Sequence, residues 1–136
     1  LVEALPPTGS VGLIAIVDDD EDVASALGSL VESMGMAARL FSSADNFLSE
    51  RHERFVLVIS DVQMPGSSGI DLARLLQNDA VPVILITAFP SLEIERQALA
   101  CGVHRFIRKP FDPDELIDSI MRVVAQSPGR TSDIII

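Results

Sequence analysis

Three short runs of this sequence, "GLIAIV" (12–17), "FVLVIS" (55–60) and "PVILIT" (82–87), are apolar at nearly every position and rich in β-branched residues. A strand with one face in water alternates polar and apolar residues. A strand without alternation is covered on both faces, as in a parallel sheet held between helices. Two weaker runs, "AARLF" (37–41) and "HRFIR" (104–108), complete a set of five. Helical periodicity fills the gaps between them. Val23, Ala26, Leu27, Leu30, Val31 and Met34 recur at i, i+3, i+4 and i+7, with Gly35 as a stop. Ser43 is placed to cap a short helix carrying Ala44, Phe47 and Leu48, and Ile70, Ala73 and Leu76 mark a third helix opening near Ser68. A fourth, less cleanly amphipathic, runs from Ser91 to Ala100 and ends before Gly102. The fifth has Asp112 as N-cap, Pro113 in the first turn and Glu115 closing a capping box, ahead of a stripe of Leu116, Ile117, Ile120, Met121 and Val124. Strand and helix alternate five times with short connections. This predicts an α/β fold: a flavodoxin-like, doubly wound (βα)5 three-layer sandwich with a parallel five-stranded sheet in the order 2-1-3-4-5.

At 136 residues and 48% apolar content the chain has the core of one domain. Its flanks, "LVEALPPTGS" and "SPGRTSDIII", carry Pro, Gly, Ser and Thr without periodicity. Residues 1–11 read as leader or linker, 12–126 as the domain and 127–136 as linker or tail. A net charge of −10, with Lys and Arg scattered, argues against direct nucleic-acid contact. The single cysteine, Cys101, allows neither an internal disulfide nor a cysteine metal cluster. No apolar run approaches the roughly 18 residues that span a bilayer, and no signal-peptide pattern is present. The expectation is a soluble chain in a reducing compartment with no membrane partner.

Ligands of open α/β sheets bind outside the carboxyl ends of the strands. Five consecutive acids, Asp18 to Asp22, follow the first strand. Two like charges about 4 Å apart repel by roughly 4 kcal/mol at an effective dielectric near 20. Asp20, Glu21 and Asp22 fall in the first turn of a helix, where the dipole favours negative charge. Asp18 and Asp19 are left needing a cation. Asp61 comes at the end of strand three, Thr87 at the end of strand four and Lys109 after strand five. Each has an ordinary reading, as a cap, a β-former or a solvated charge. Their coincidence at neighbouring strand ends carries the functional one. Carboxylates of this kind recruit Mg²⁺ or Mn²⁺ together with phosphate oxygens. An ionised Asp is a competent nucleophile, so Asp61 would attack phosphorus while Thr87 and Lys109 balance the phosphoryl oxygens. The loop "DVQMPGSSGIDL" after strand three turns tightly on Pro65, Gly66 and Gly69, which leaves Asp61 open to a bulky donor.

The motifs "VDDDE", "SDVQMPGSSGIDL", "LITA" and "FIRKPF", in this order, resemble the receiver domain of two-component response regulators over residues 12 to 126. Details such as "SSADNFL" and "KPFDPDELIDSI" resemble receivers of the FixJ/NarL kind, which usually precede a DNA-binding helix-turn-helix. The resemblance implies a bacterial, cytoplasmic signalling phosphoacceptor that is not an enzyme beyond assisting its own phosphorylation and dephosphorylation. Asp61 would accept phosphoryl from the phosphohistidine of a sensor histidine kinase. Asp19 would bind Mg²⁺ directly, Asp18 mainly through water, joined by Asp61 and the backbone carbonyl of Gln63. Thr87 and Lys109 would bind the phosphoryl oxygens, and Phe106 would swing inward as Thr87 moves, against the plainer reading of a packed core Phe. Gln63 and Phe89 occupy positions that tune water access to the phosphoryl group, and an apolar ring at Phe89 is expected to slow self-dephosphorylation. A cis bond is common in the family at the position of Lys109-Pro110. The output would be read from the face built by strand four, helix four, strand five and helix five, which carries Leu92, Ile94 and the helix starting at Asp112. Through that face a homodimer or a partner would dock, with the output domain outside this chain.

Rival readings keep parts of this. A receiver-like interaction module independent of phosphorylation shares the fold, and the C-terminal receiver of a hybrid histidine kinase shares the chemistry. A phosphatase of the haloacid dehalogenase type commonly has a second Asp two residues past its nucleophile, where this chain has Gln63. A flavin-binding protein lacks aromatic support here, since Trp and Tyr are absent.

Overall fold

The computed structural model describes residues 12–50 and 54–125, so the expected leader and tail lie outside the described residues. Five strands, β1 (Leu13–Val17), β2 (Ala37–Phe41), β3 (Leu57–Asp61), β4 (Val83–Thr87) and β5 (Arg105–Arg108), alternate with helices α1 (Glu21–Ser33), α2 (Ala44–Ser49), α3 (Gly69–Gln77), α4 (Leu92–Ala100) and α5 (Pro113–Ala125). All pairings are parallel and the order is β2-β1-β3-β4-β5, as the alternation predicts.

The pleat sorts each strand into two cores. Ile14, Ile16, Leu57, Ile59, Ile84 and Ile86 face α1 and α5, meeting Leu27, Val31, Leu116 and Ile120. Ala15, Val17, Val58, Val83 and Leu85 face the other way, onto Phe47, Leu72, Leu76 and Ala98 of α2, α3 and α4. β3 and β4 are buried at every position, whereas β2 shows exposed residues. The edge position of β2 accounts for its mixed sequence. Phe41, Phe47 and Phe55 close the edge in a cluster with centroids 5.2–6.1 Å apart.

Helix starts follow side-chain chemistry. Asp20 caps α1 by accepting from Asp22 and Val23 N–H groups; Ser43 caps α2; Ser91 caps α4. Ser68 and Asp71 form a reciprocal capping box on α3. α5 departs from expectation: Asp112 accepts from the Asp114 N–H, while Glu115 turns away from the cap to bind Arg105 of β5 at 3.4 Å. A cation on the neighbouring strand outbids the capping position. β3 also ends one residue later than its apolar run, because Asp61 stays in the ladder opposite Ile86.

Candidate functional site

The carboxyl ends of β1, β3, β4 and β5 bring the expected residues into one crevice. Asp18 and Asp61 are almost fully buried and Thr87 is completely so, while Asp19 is exposed. Oxygen atoms of Asp18, Asp19 and Asp61 lie within 4.8 Å of one another. Lys109 extends its Nζ to 3.1 Å from Asp18 Oδ2 and 3.5 Å from Asp61 Oδ2. One ammonium therefore faces three carboxylates, and the site carries net negative charge.

The two buried acids are not equivalent. Asp18 has both oxygens engaged, Oδ1 accepting from the Asp20 N–H at 2.9 Å and Oδ2 from Lys109. Asp61 Oδ1 is buried with no hydrogen-bond partner among the described residues. Burial raises the Asp61 pKa above the ordinary 3.8, and the Asp18 charge adds to this; Lys109 and the Val62 N–H oppose it. An unpaired buried carboxylate oxygen is costly, so it marks a place where a further positive group is accommodated. Three all-oxygen donors suit a hard divalent cation such as Mg²⁺ or Mn²⁺. The residues present fit such an ion.

The backbone holds the crevice in shape. The Lys109 N–H donates to the Thr87 carbonyl at 2.8 Å, the Val62 N–H to Ile86 at 2.9 Å and the Gly69 N–H to Val62 at 2.9 Å. Ser60, fully buried, donates its hydroxyl to the Asp61 carbonyl at 2.9 Å. A Cβ on Gly69 would collide with that same carbonyl oxygen. The start of α3 packs directly on the backbone of Asp61, a contact that no side chain permits. In sequence, Gly69 reads only as part of a small-residue turn. Gly66, by contrast, is needed for its positive φ of 82°.

Thr87 makes contacts that strand position alone did not foretell. Its hydroxyl donates to Gln63 Oε1 at 2.6 Å and accepts from the Phe89 N–H at 3.0 Å. Gln63 Nε2 in turn faces the Phe89 carbonyl at 3.5 Å. The Phe89 ring is 72% exposed. Phe106 is half-buried and packs on the α2–α3–α4 core. The Lys109-Pro110 bond is cis.

With this geometry in place, comparison with known proteins decides the family. Residues 14–121 match the response regulator receiver domain. The chain belongs to that family. It is 35% identical over 124 residues to response regulator protein TodT of Pseudomonas putida, a match covering 89% of this chain and 55% of TodT. It is 32% identical over 126 residues to the transcriptional regulatory protein FixJ of Bradyrhizobium diazoefficiens, covering 90% of this chain and 62% of FixJ. The FixJ-like character of the motifs is thereby supported. Among solved structures, a response regulator receiver protein from Burkholderia phymatum superposes with a TM-score of 0.75 at 39% identity, covering 86% of this chain and 98% of that one. This receiver domain spans less than two thirds of the two curated relatives. Among the described residues no helix is long and apolar enough to cross a membrane.

Proposed function

We propose that this receiver accepts a phosphoryl group on Asp61 from the phosphohistidine of a sensor histidine kinase, as part of a two-component response regulator. The observation that carries the reading is the buried, partnerless Asp61 Oδ1, set between two further acids and within reach of one lysine. Burial keeps the carboxylate poorly hydrated and reactive. A carboxylate oxygen of Asp61 forms the new P–O bond as the P–N bond breaks, and the electron pair leaves on the imidazole nitrogen of the donor.

Asp18, Asp19, Asp61 and the Gln63 carbonyl would hold Mg²⁺, with Asp18 acting through water because both its oxygens are engaged. The ion supplies charge neutralisation of the acids and of the phosphoryl oxygens. Lys109 is 3.5 Å from Asp61 and already desolvated, so its ammonium needs little movement to bind a phosphoryl oxygen. Thr87 would contribute its hydroxyl to another oxygen, Phe106 would follow it inward, and Gln63 and Phe89 would set how readily water reaches the group. The protein turns over no separate substrate; it assists only its own phosphorylation and dephosphorylation.

Converting the Asp61 carboxylate, charge −1, into an acyl phosphate of about −1.5 to −2 with three acceptor oxygens biases the face made by β4, α4, β5 and α5 between two arrangements. On that face Leu92 and Leu99 are exposed and the Arg105–Glu115 pair ties β5 to α5. A homodimer or partner would dock there, and the response would pass to an output that controls transcription, by analogy with the names of the relatives. The test is incubation with acetyl phosphate and Mg²⁺ followed by intact-mass measurement. Wild type is expected to gain one phosphoryl group and Asp61→Asn none. An unmodified wild type, as a phosphorylation-independent module would give, or a labelled variant overturns the reading.

A further inference from the structure

We propose that the Gln63 side chain is a latch that holds the Thr87 hydroxyl away from the phosphoryl site, so that Gln63 is a positioning residue setting the resting state of the switch. This rests on the phosphoacceptor reading above and concerns a bond present before any phosphoryl group arrives.

A threonine hydroxyl has one proton to donate. In this structure that proton is directed at Gln63 Oε1, 2.6 Å away, and a lone pair of the same oxygen accepts from the Phe89 N–H at 3.0 Å. The orientation of the Gln63 amide follows from its other end. The group facing it there is the Phe89 carbonyl, at 3.5 Å, which only accepts, so Nε2 belongs on that side and Oε1 on the side of Thr87. Gln63 is two residues beyond Asp61, in the loop leaving β3, while Thr87 and Phe89 leave β4. The amide therefore ties the acceptor's own loop to the loop that follows Thr87.

Thr87 has no exposed surface. Its hydroxyl cannot donate to a phosphoryl oxygen and to Gln63 at once. Placing the proton on the phosphoryl group requires breaking the 2.6 Å bond, and the cost is charged against switching. The aliphatic part of Gln63 is replaceable without loss of volume, and its backbone carbonyl is untouched by substitution. Latching is thus separable from the rest of the site.

Gln63→Met keeps the length of the side chain and removes both polar ends. The probe is beryllofluoride with Mg²⁺, a stable mimic of the phosphoryl group. The variant is expected to bind it about threefold to tenfold more tightly than wild type, the worth of one neutral hydrogen bond no longer to be broken. In a Thr87→Ala background, where there is no hydroxyl to hold, the same substitution is expected to change affinity by less than about twofold. A second readout needs no ligand on the variant. In metal-free protein the Thr87 methyl resonance of Gln63→Met should move toward the position it takes in beryllofluoride-bound wild type. Binding that is unchanged or weaker in the variant, an effect that persists without the Thr87 hydroxyl, or a methyl resonance that does not move in that direction overturns the latch and leaves the phosphoacceptor reading standing. A wild type that neither binds beryllofluoride nor takes label from acetyl phosphate overturns that reading, and the latch with it.

Discussion

Strands β1, β2, β4 and β5 are entered past Gly12, Gly35, Ala80 and Gly102, and strands β1, β3, β4 and β5 are left through Asp18, Asp61, Thr87 and Lys109. The two ends differ in kind. At the entry end all four residues have positive φ, from 58° at Ala80 to 99° at Gly12. The neighbouring cleft of about 260 Å³, lined by Ala73, Val81, Pro82, Val83 and Cys101 among others, is mostly apolar. At the exit end Gly66 alone among the described residues has positive φ, while the buried charges Asp18 and Asp61 and the buried hydroxyls Ser60 and Thr87 all cluster there. Left-handed backbone is concentrated at one end and buried charge at the other, and of the entry residues Ala80 alone meets its positive φ with a Cβ. A parallel sheet makes the division natural, since every strand leaves by the same edge and every following helix begins there. Chemistry can then be placed at the exits without disturbing the turns that close the fold.

Substitutions at each end should therefore respond to different variables. The largest effect is expected at Gly69. Gly69→Ala drives a methyl group into the Asp61 carbonyl and should lower stability by roughly 3 kcal/mol in urea denaturation. Loss of less than about 0.5 kcal/mol would mean that α3 can lift from β3 freely.

Next is Asp61→Asn, with the opposite sign. Burial holds the Asp61 pKa above 3.8, so the folded state binds its proton more tightly than the unfolded state does. Ionisation of Asp61 costs stability as pH rises from 3.8 through the raised value, and the whole cost is present above it. The Asn variant should be more stable than wild type at pH 7 by about 1 kcal/mol. That margin should shrink as pH falls through the raised value and close below 3.8. Added Mg²⁺ should narrow it from the wild-type side, by stabilising the acidic cluster. A margin independent of pH would remove electrostatic stress as its source.

The smallest effect belongs to the entry end. Ala80→Gly relieves a left-handed residue that carries a Cβ and should stabilise the fold by about 0.5 kcal/mol at every pH, the relief exceeding the added chain entropy. Phosphorylation by acetyl phosphate should be unchanged. A change there would show that the two ends communicate.

How far the sequence reveals this division depends on the range of the contacts. Strand identity, strand order, the Ser43 cap and the helix starts near Asp20, Ser68 and Ser91 depend on periodicity and on neighbours within a few residues, and all are legible. Asp18, Asp61, Thr87 and Lys109 were legible as a set because the topology of an α/β sheet forces strand exits together. What escaped depends on contacts across loops. Glu115 satisfies a local capping pattern, yet Arg105, ten residues earlier, takes its carboxylate. Gln63 and Thr87 are twenty-four residues apart, and nothing local marks the amide as the partner of that hydroxyl. Gly69 was visible as a glycine, but its reason, a carbonyl eight residues upstream, is visible only in three dimensions. Ala80 carries no warning, since alanine has neither the missing Cβ of glycine nor the local polar side chain of Asn or Asp that marks a left-handed position.

The 2.8 Å bond from the Lys109 N–H to the Thr87 carbonyl has a consequence for anyone who would build a sensor from this domain. With the Phe89 N–H tied to the Thr87 hydroxyl, it splices 87, 89 and 109 into one short hydrogen-bonded circuit. A reporter inserted within that circuit would cut the device it was meant to read. The exposed turn over 78–80, at the far end of the same strand, offers an insertion point that leaves the circuit whole.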